Sequence, residues 1–350
     1  MHNKIKLVHL ITGLGCGGAE KMVYQLCKYA DRERFDISVV SIDDTDYFLF
    51  KLKALQTKVL KLGLNKNPIS LLKGIFSMNK IIRHHKIQLI HAHLFHGMVL
   101  ACMVKLFNPQ LKIIWTGHNS RMISLWRSII TFVMRRIRNH DIHLQGHHQS
   151  WYDTLNSSTI PNGVESPGIV EGIKKFEKFT FISVGSLEVQ KNHIFLIELF
   201  SKIENFNYKL LIVGSGSEEK KIQERIIQLD LSGKIKLLGR RDDVYTLMQK
   251  SHCLLLPSLW EGLPLTVLEG AHVKLPIISS SINSMKKLIS EDEGYVVPLD
   301  QFEHTIHLMV DNYPDAEAKA NRFYERVINE YSINTCMRKH EKLYQMVLNA

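Results

Sequence analysis

Short apolar runs rich in β-branched residues alternate with amphipathic helical stretches from one end of the chain to the other. KLVHLIT, FDISVVSI, KVLKL, IQLIHAH, KIIWTGH and DIHLQG read as strands in the first half, and FTFISVG, YKLLIVG, KIKLLG, CLLLPS and PIISSS in the second. AEKMVYQLCKYA, HIFLIELFSKI, EEKKIQERIIQL and VYTLMQKS between them carry the helical period. Strand–helix alternation of this kind predicts parallel sheets covered on both faces. The rhythm stumbles once, at IPNGVESPGIVEGIKKFEKF, where prolines, glycines and a Lys–Glu run mark a linker. The expected organisation is an α/β chain of two doubly wound, Rossmann-like domains, residues 1–165 and 179–333, joined by residues 166–178. A last helix, 334–350, is expected to cross back onto the first domain. Ligands in such folds bind at the carboxyl ends of the strands, here in a cleft between the domains.

Composition narrows the class. Of 350 residues 45% are hydrophobic and 23% charged, the profile of a folded globular protein. Five scattered cysteines with no Cys-x-x-Cys pair argue for a reducing compartment and against a disulfide framework or structural zinc. Leu14-Gly15-Cys16 has the look of a lipoprotein cleavage site, but the apolar core before it is short and a helical pattern continues through it, so processing there is not expected. The longest stretch free of Lys, Arg, Asp and Glu, Ile87 to Val104, contains three histidines and reads as a strand and a helix, not a membrane span. Residues 1–170 carry 22 Lys and Arg against 10 Asp and Glu, whereas the remainder, 23 against 24, is near neutral. A basic half calls for an anionic partner, either a membrane surface or a phosphorylated substrate; no nucleic-acid-binding motif accompanies it.

Several loops could carry chemistry. In LITGLGCGGAEKMV a strand, a glycine loop and a helix start follow one another, and the free amides of such a helix end suit a phosphate. Tight-turn packing explains the same glycines equally well, and no acid with Rossmann spacing follows. His118 in KIIWTGHNS closes a strand, where it could meet a sugar hydroxyl or a developing charge. His91 and His93 share a strand face and, with His96, form a metal candidate that lacks a nearby carboxylate or cysteine. Lys191 and Asn192 stand at a helix start, and Gly214, Gly216 and Gly239-Arg240-Arg241 mark further strand ends.

The segment PSLWEGLPLTVLEG is the most informative. Pro264 starts a helix after Gly262, Leu265 and Thr266 offer free amides, and Glu261 and Glu269 lie roughly 8 Å apart along the axis. An anion on those amides would lie between two hydroxyl-accepting carboxylates, which suits a nucleoside diphosphate sugar. First-turn dipole complementation does not explain both glutamates.

Together GLGCGGAE, HAH, TGHN, IPNGV, VGSLEVQKNH, IVGSGSE, LLGRRDDVYTLM and LPSLWEGLPLTVLEGAHVKLPII resemble, in family order, the retaining GT-B glycosyltransferases of bacterial cell-surface glycan synthesis. The resemblance implies that Glu269 holds the ribose hydroxyls and Glu261, beside Gly262, the donor sugar. Lys191 would neutralise the diphosphate with the amides of Gly17, Gly18, Leu265 and Thr266. His118 would stand beside the reacting sugar and the base against Gly239-Arg240. Catalysis would fall to His118, Glu261 and Lys191, without metal or other cofactor. Where the family usually has an arginine, this chain has Ser186, which cannot make its bidentate phosphate contact; Arg240 is the candidate substitute.

The activity so implied is transfer, with retention, from a nucleotide sugar, UDP-linked in preference to GDP-linked, to a hydroxyl of a glycan or polyprenyl-linked acceptor. The implied place is the cytoplasm, peripheral at the inner face of the plasma membrane. The stretch 124–140, with Trp126, Arg127, Arg135, Arg136 and Arg138 around an apolar stripe, reads either as a helix on an anionic membrane or as a core helix with a solvated basic side. ISLLKGIFSMNKIIRHHK is a second basic helix. Competing readings are a nucleotide-sugar epimerase of the same fold, a catalytically silent partner protein, for which Ser186 speaks, and a dehydrogenase, against which the absent ribose acid counts.

Overall fold

The computed structural model describes residues 4–65, 67–118, 124–146, 150–165, 172–203 and 207–350, with Pro68 described by its backbone. Asn119 and residues 166–171 of the expected linker lie outside the described residues. The chain divides into two units, Met1–Gly163 with Ile333–Ala350, and Val164–Ser332.

The first unit contains β1 (Ile5–Ile11), α1 (Gly18–Tyr29), β2 (Phe35–Ser41), α2 (Leu49–Ala54), β3 (Lys58–Lys61), α3 (Pro68–His85), β4 (Leu89–His93), α4 (Leu94–Lys105), β5 (Lys112–Thr116), α5 (Leu125–Val133), β6 (His140–His143) and β7 (Ser157–Thr159). The second contains β8 (Phe179–Val184), α6 (His193–Phe200), β9 (Tyr208–Val213), α7 (Glu219–Gln228), β10 (Ile235–Leu237), α8 (Val244–Lys250), β11 (Cys253–Leu256), α9 (Leu265–His272), β12 (Ile277–Ser280), α10 (Asn283–Leu288), β13 (Tyr295–Val297), α11 (Phe302–Asp311) and α12 (Tyr313–Glu330). α13 (Ile333–Asn349) returns to the first unit, where Ile333, Met337, Tyr344 and Val347 enter the same core as β1 and α1.

Every paired strand in the two sheets is parallel, in the orders β3-β2-β1-β4-β5-β6-β7 and β10-β9-β8-β11-β12-β13. Each order reverses direction once, between β1 and β4 and between β8 and β11. At such a switch point the connections leave to opposite faces, and the strand ends open a crevice where open α/β sheets bind ligands. In the first unit, side-chain alternation sends Leu7 and Ile11 of β1 to the face covered by α1 and α13, and Val8 and Leu10 to the face covered by α3 and α4. His9, His91, His93 and Thr116 share the parity of the α1/α13 face, which decides the chemistry below.

One expected element is corrected. The stretch 124–140 is not a single helix: α5 stops at Val133, a 3₁₀ turn covers Met134–Arg136, and β6 begins at His140. The cause is Arg138. Its guanidinium is buried, makes two 2.8 Å bonds to Asp141, donates to the Thr131 and Tyr152 carbonyls, and lies over the Trp115 ring. A buried guanidinium needs such a full set of acceptors, and the backbone leaves the helix to provide it. Arg138 is therefore not part of a membrane-facing surface. No helix among the described residues is long and apolar enough to cross a membrane.

Candidate active site

In the second unit the loops after β8 and β11, on the two sides of the switch point, are laced together. Leu259 donates its amide to the Gln190 carbonyl at 2.9 Å, Gln190 Nε2 donates to the Trp260 carbonyl at 2.8 Å, and Asn192 Nδ2 to the Pro257 carbonyl at 3.3 Å. Asn192 adopts the left-handed conformation (φ 53°), which asparagine tolerates better than most residues and which turns the chain from the Lys191 turn into α6. Across this lacing Lys191 Nζ meets Glu261 Oε1 at 2.6 Å. Ser258 Oγ donates to the same oxygen at 2.7 Å, and Gln190 Nε2 stands 3.3 Å from the other. Gly185 leaves room for the Lys191 stem, since a Cβ there would press on its methylenes. Lys191 has three donors and Glu261 takes one, so the ammonium can still serve an anion.

The neighbouring loops join this edge. The Leu187 amide bonds the Ser215 carbonyl and the Gly214 amide the Gly239 carbonyl. Gly214 (φ 145°) must be glycine, because a Cβ would run into the Gly185 carbonyl. Arg240 Nε donates to Ser215 Oγ at 2.6 Å, tying its guanidinium to the loop beside Ser186, which is exposed.

α9 begins at Leu265 with Pro264 as its N-cap. The first four amides of a helix have no intrahelical acceptor, which leaves those of Leu265 and Thr266 available. No acidic residue lies in the first turn of α9, so complementation of the helix dipole accounts for neither glutamate. Glu261 precedes the helix and is held by Lys191 and Ser258, while Glu269, 4% exposed, is the fifth helical residue. Ser258 and Gln190 escaped the sequence reading; their only signal was adjacency to Glu261 and Lys191.

In the first unit, Gly17 is the N-cap of α1 and Gly17 and Gly18 are exposed, but Glu20 lies against Gly17 and burial raises its pKa, so this helix end already has an acid beside it. His118 follows β5 with φ 61°, a left-handed conformation, and its Nε2 lies 2.9 Å from His93 Nδ1. Burial lowers its pKa to about 3, with the nearby His340 adding to the effect, so the ring is neutral at physiological pH.

The metal candidate is corrected. His96 is exposed on α4, and it is His9 of β1 that joins His91 and His93, all buried, with one ring nitrogen from each within 4.8 Å of the others. His9 and His91 are register partners in the β1–β4 pairing, which the sequence alone does not reveal. Their nitrogens are largely committed to one another and to hydroxyls. His93 bonds His9 and His118, and His91 bonds Tyr344 Oη and Thr116 Oγ1, both at 2.8 Å. Desolvation lowers the pKa of His9 to about 3 and drives those of His91 and His93 well below the ordinary histidine value.

Two parallel, doubly wound units in one chain define an α/β protein of the GT-B type, and structural comparison agrees. A glycosyltransferase from Rickettsia africae superposes with a TM-score of 0.84 over 99% of both chains at 18% identity. Anabaena Alr3699/HepE, crystallised with UDP and glucose, gives 0.83 over 98% of this chain and 100% of its own at 15% identity. The chain belongs to the GT-B glycosyltransferases: residues 16–165 match Glycosyltransferase Family 4 and residues 170–327 match Glycosyl transferases group 1. Among named relatives, an Escherichia coli UDP-Gal:alpha-D-GlcNAc-diphosphoundecaprenol alpha-1,3-galactosyltransferase is 26% identical, with 99% of each chain covered. A Campylobacter jejuni alpha-1,4-N-acetyl-D-galactosaminyltransferase, whose named acceptor is a diphosphoundecaprenol-linked glycan, is 23% identical over 85% of each.

Proposed function

We propose that this glycosyltransferase moves a hexose from a nucleotide diphosphate sugar, UDP-linked in preference to GDP-linked, to a hydroxyl of a lipid-linked glycan in cell-surface polysaccharide or lipopolysaccharide synthesis. The transfer retains anomeric configuration and uses no bound metal. The observation that carries the reading is the Lys191–Glu261 pair at the β8/β11 switch point, beside the start of α9, whose N-cap Pro264 makes no side-chain capping bond. In this reading Lys191 and the amides of Leu265 and Thr266 hold the diphosphate, Glu269 the ribose and Glu261, beside Gly262, the transferred sugar. The base lies against Gly239-Arg240. Gly17 and Gly18 approach the phosphates, and His118 the sugar.

The chemistry asked of the protein is then electrostatic. As the glycosidic bond breaks, negative charge grows on the β-phosphate, where a fixed ammonium and helix amides need no reorganisation. The leaving phosphate accepts the acceptor's proton, and Glu261 orients the sugar. Relatives named for diphosphoundecaprenol-linked acceptors favour an acceptor at a membrane. The first unit suits that place, with 25 Lys and Arg against 10 Asp and Glu. α5 also exposes Leu125, Trp126, Ile129 and Val133, with Arg127 over the Trp126 ring and Arg135 over Phe132. We place the chain in the cytoplasm, peripheral at the inner membrane face.

The test is to supply UDP-hexoses with a polyprenyl-diphosphate sugar, with and without EDTA, and to follow UDP release and product anomeric configuration by NMR. Acceptor-dependent release insensitive to EDTA, with an axial donor giving an axial product, is expected. Inversion or loss on chelation overturns the corresponding part of the reading.

A further inference from the structure

Three imidazoles stand in a row on the α1/α13 face of the first sheet, across its switch point. His9 Nδ1 lies 3.0 Å from His93 Nε2, and His93 Nδ1 lies 2.9 Å from His118 Nε2. His9 Nε2, at the inner end, is buried and has no partner among the described residues. Each neutral imidazole owns one N–H, so His93 donates to one neighbour and accepts from the other. Only two arrangements satisfy both bonds. In one, every N–H points outward, His9 to His93 to His118, and the inner end is left with a bare lone pair. In the other, every N–H points inward, and the inner end is left with a buried N–H that has no acceptor. An orphaned buried donor is the rarer and costlier of the two. The outward arrangement leaves His118 Nδ1 carrying the proton. The tautomer of a histidine is set by what its other nitrogen bonds, and here that is His93 Nδ1–H.

We propose that His93, backed by His9, is a positioning residue that holds His118 as the neutral Nδ1–H tautomer, so that His118 meets the substrate as a hydrogen-bond donor rather than as a proton acceptor. The role toward substrate rests on the proposed contact between His118 and the donor sugar; the tautomer does not. The left-handed backbone of His118 fits the assignment, since a strained conformation persists where surrounding bonds over-determine it. A donor beside the sugar complements a hydroxyl or ring oxygen and leaves the acceptor's proton to the departing phosphate.

Long-range proton–nitrogen NMR on the full chain with ¹⁵N-histidine tests this without substrate. Nδ1 of His9, His93 and His118 is expected at protonated, pyrrole-like shifts and Nε2 at pyridine-like shifts, with signals assigned through single variants. His93→Asn keeps a donor near the Nδ1 position and should preserve the His118 pattern and most of kcat. His93→Leu should move the His118 proton to Nε2 and lower kcat roughly tenfold to a hundredfold with donor KM little changed. Nε2 protonation of His118 in the unmodified protein overturns the proposal. So does a His93→Leu variant with unchanged His118 shifts and kcat. The expected tautomers in a protein that transfers no sugar would uphold the tautomer assignment and remove the transferase reading, and with it the role of His118 toward substrate.

Discussion

Replacing Lys191 with methionine takes the ammonium away from a carboxylate that the fold has withdrawn from water. Side-chain exposure is 14% for Lys191 and 6% for Glu261, and their contact is 2.6 Å. Replacing Lys191 removes a counter-charge 2.6 Å from Glu261, whereas the 2.7 Å bond from Ser258 and the longer 3.3 Å one from Gln190 come from uncharged groups. Breaking a buried pair from one side costs about 3–5 kcal/mol, and the partial exposure of Lys191 favours about 3 kcal/mol. For a unit of this size that is a fall of about 6–12 °C in Tm. Glu261→Gln should cost less, about 1–2 kcal/mol, because the freed ammonium can reach solvent. The double variant should recover part of the loss, with a coupling of about 2 kcal/mol. Urea denaturation followed by far-UV circular dichroism measures all four corners. A Lys191→Met protein as stable as its parent, or an additive double variant, would refute the view that the pair holds the β8 and β11 loops together.

Three further outcomes follow from the same geometry. Burial holds His9, His91, His93, His118 and His340 at depressed pKa values, so the unfolded chain binds more protons than the folded one below pH 6.5, and the stability they contribute falls as pH drops. One pH unit below 6.5 the loss is about 1.4 kcal/mol for each, about 7 kcal/mol for the five, and a urea midpoint that stays flat from pH 7.5 to 5.5 would contradict it. Asp141→Asn should destabilise the first unit by about 3–5 kcal/mol by stranding the buried Arg138, measured as a lower urea midpoint, and a loss under about 1 kcal/mol would show the pair to be incidental. Trp126→Ser with Val133→Ser should weaken sedimentation with phosphatidylglycerol vesicles at least tenfold while circular dichroism stays unchanged, and equal sedimentation would remove α5 from the membrane surface.

The strand–helix alternation was legible because strands buried on both faces, such as FTFISV and CLLL, are nearly unbroken apolar runs. β7 and β13 were missed. Each is three residues long and half-buried, too short for any period to show. The Glu261–Glu269 segment could be read because a proline-started helix and its flanking acids lie within one stretch of chain. The histidine row could not. His9 and His93 are 84 residues apart and meet through the pairing of β1 with β4, which periodicity does not specify. Arg138 shows the opposite error. Its spacing placed it on a basic helix face, but Asp141, three residues on, captures it in the interior.

The most direct test of the central claim is donor binding by the folded protein, with a panel of UDP- and GDP-sugars scored by saturation-transfer NMR and Glu269→Ala as the control. The account predicts one preferred nucleotide sugar whose signal disappears in the variant. Binding that survives Glu269→Ala, or no binding by any nucleotide sugar in protein shown to be folded, would contradict it.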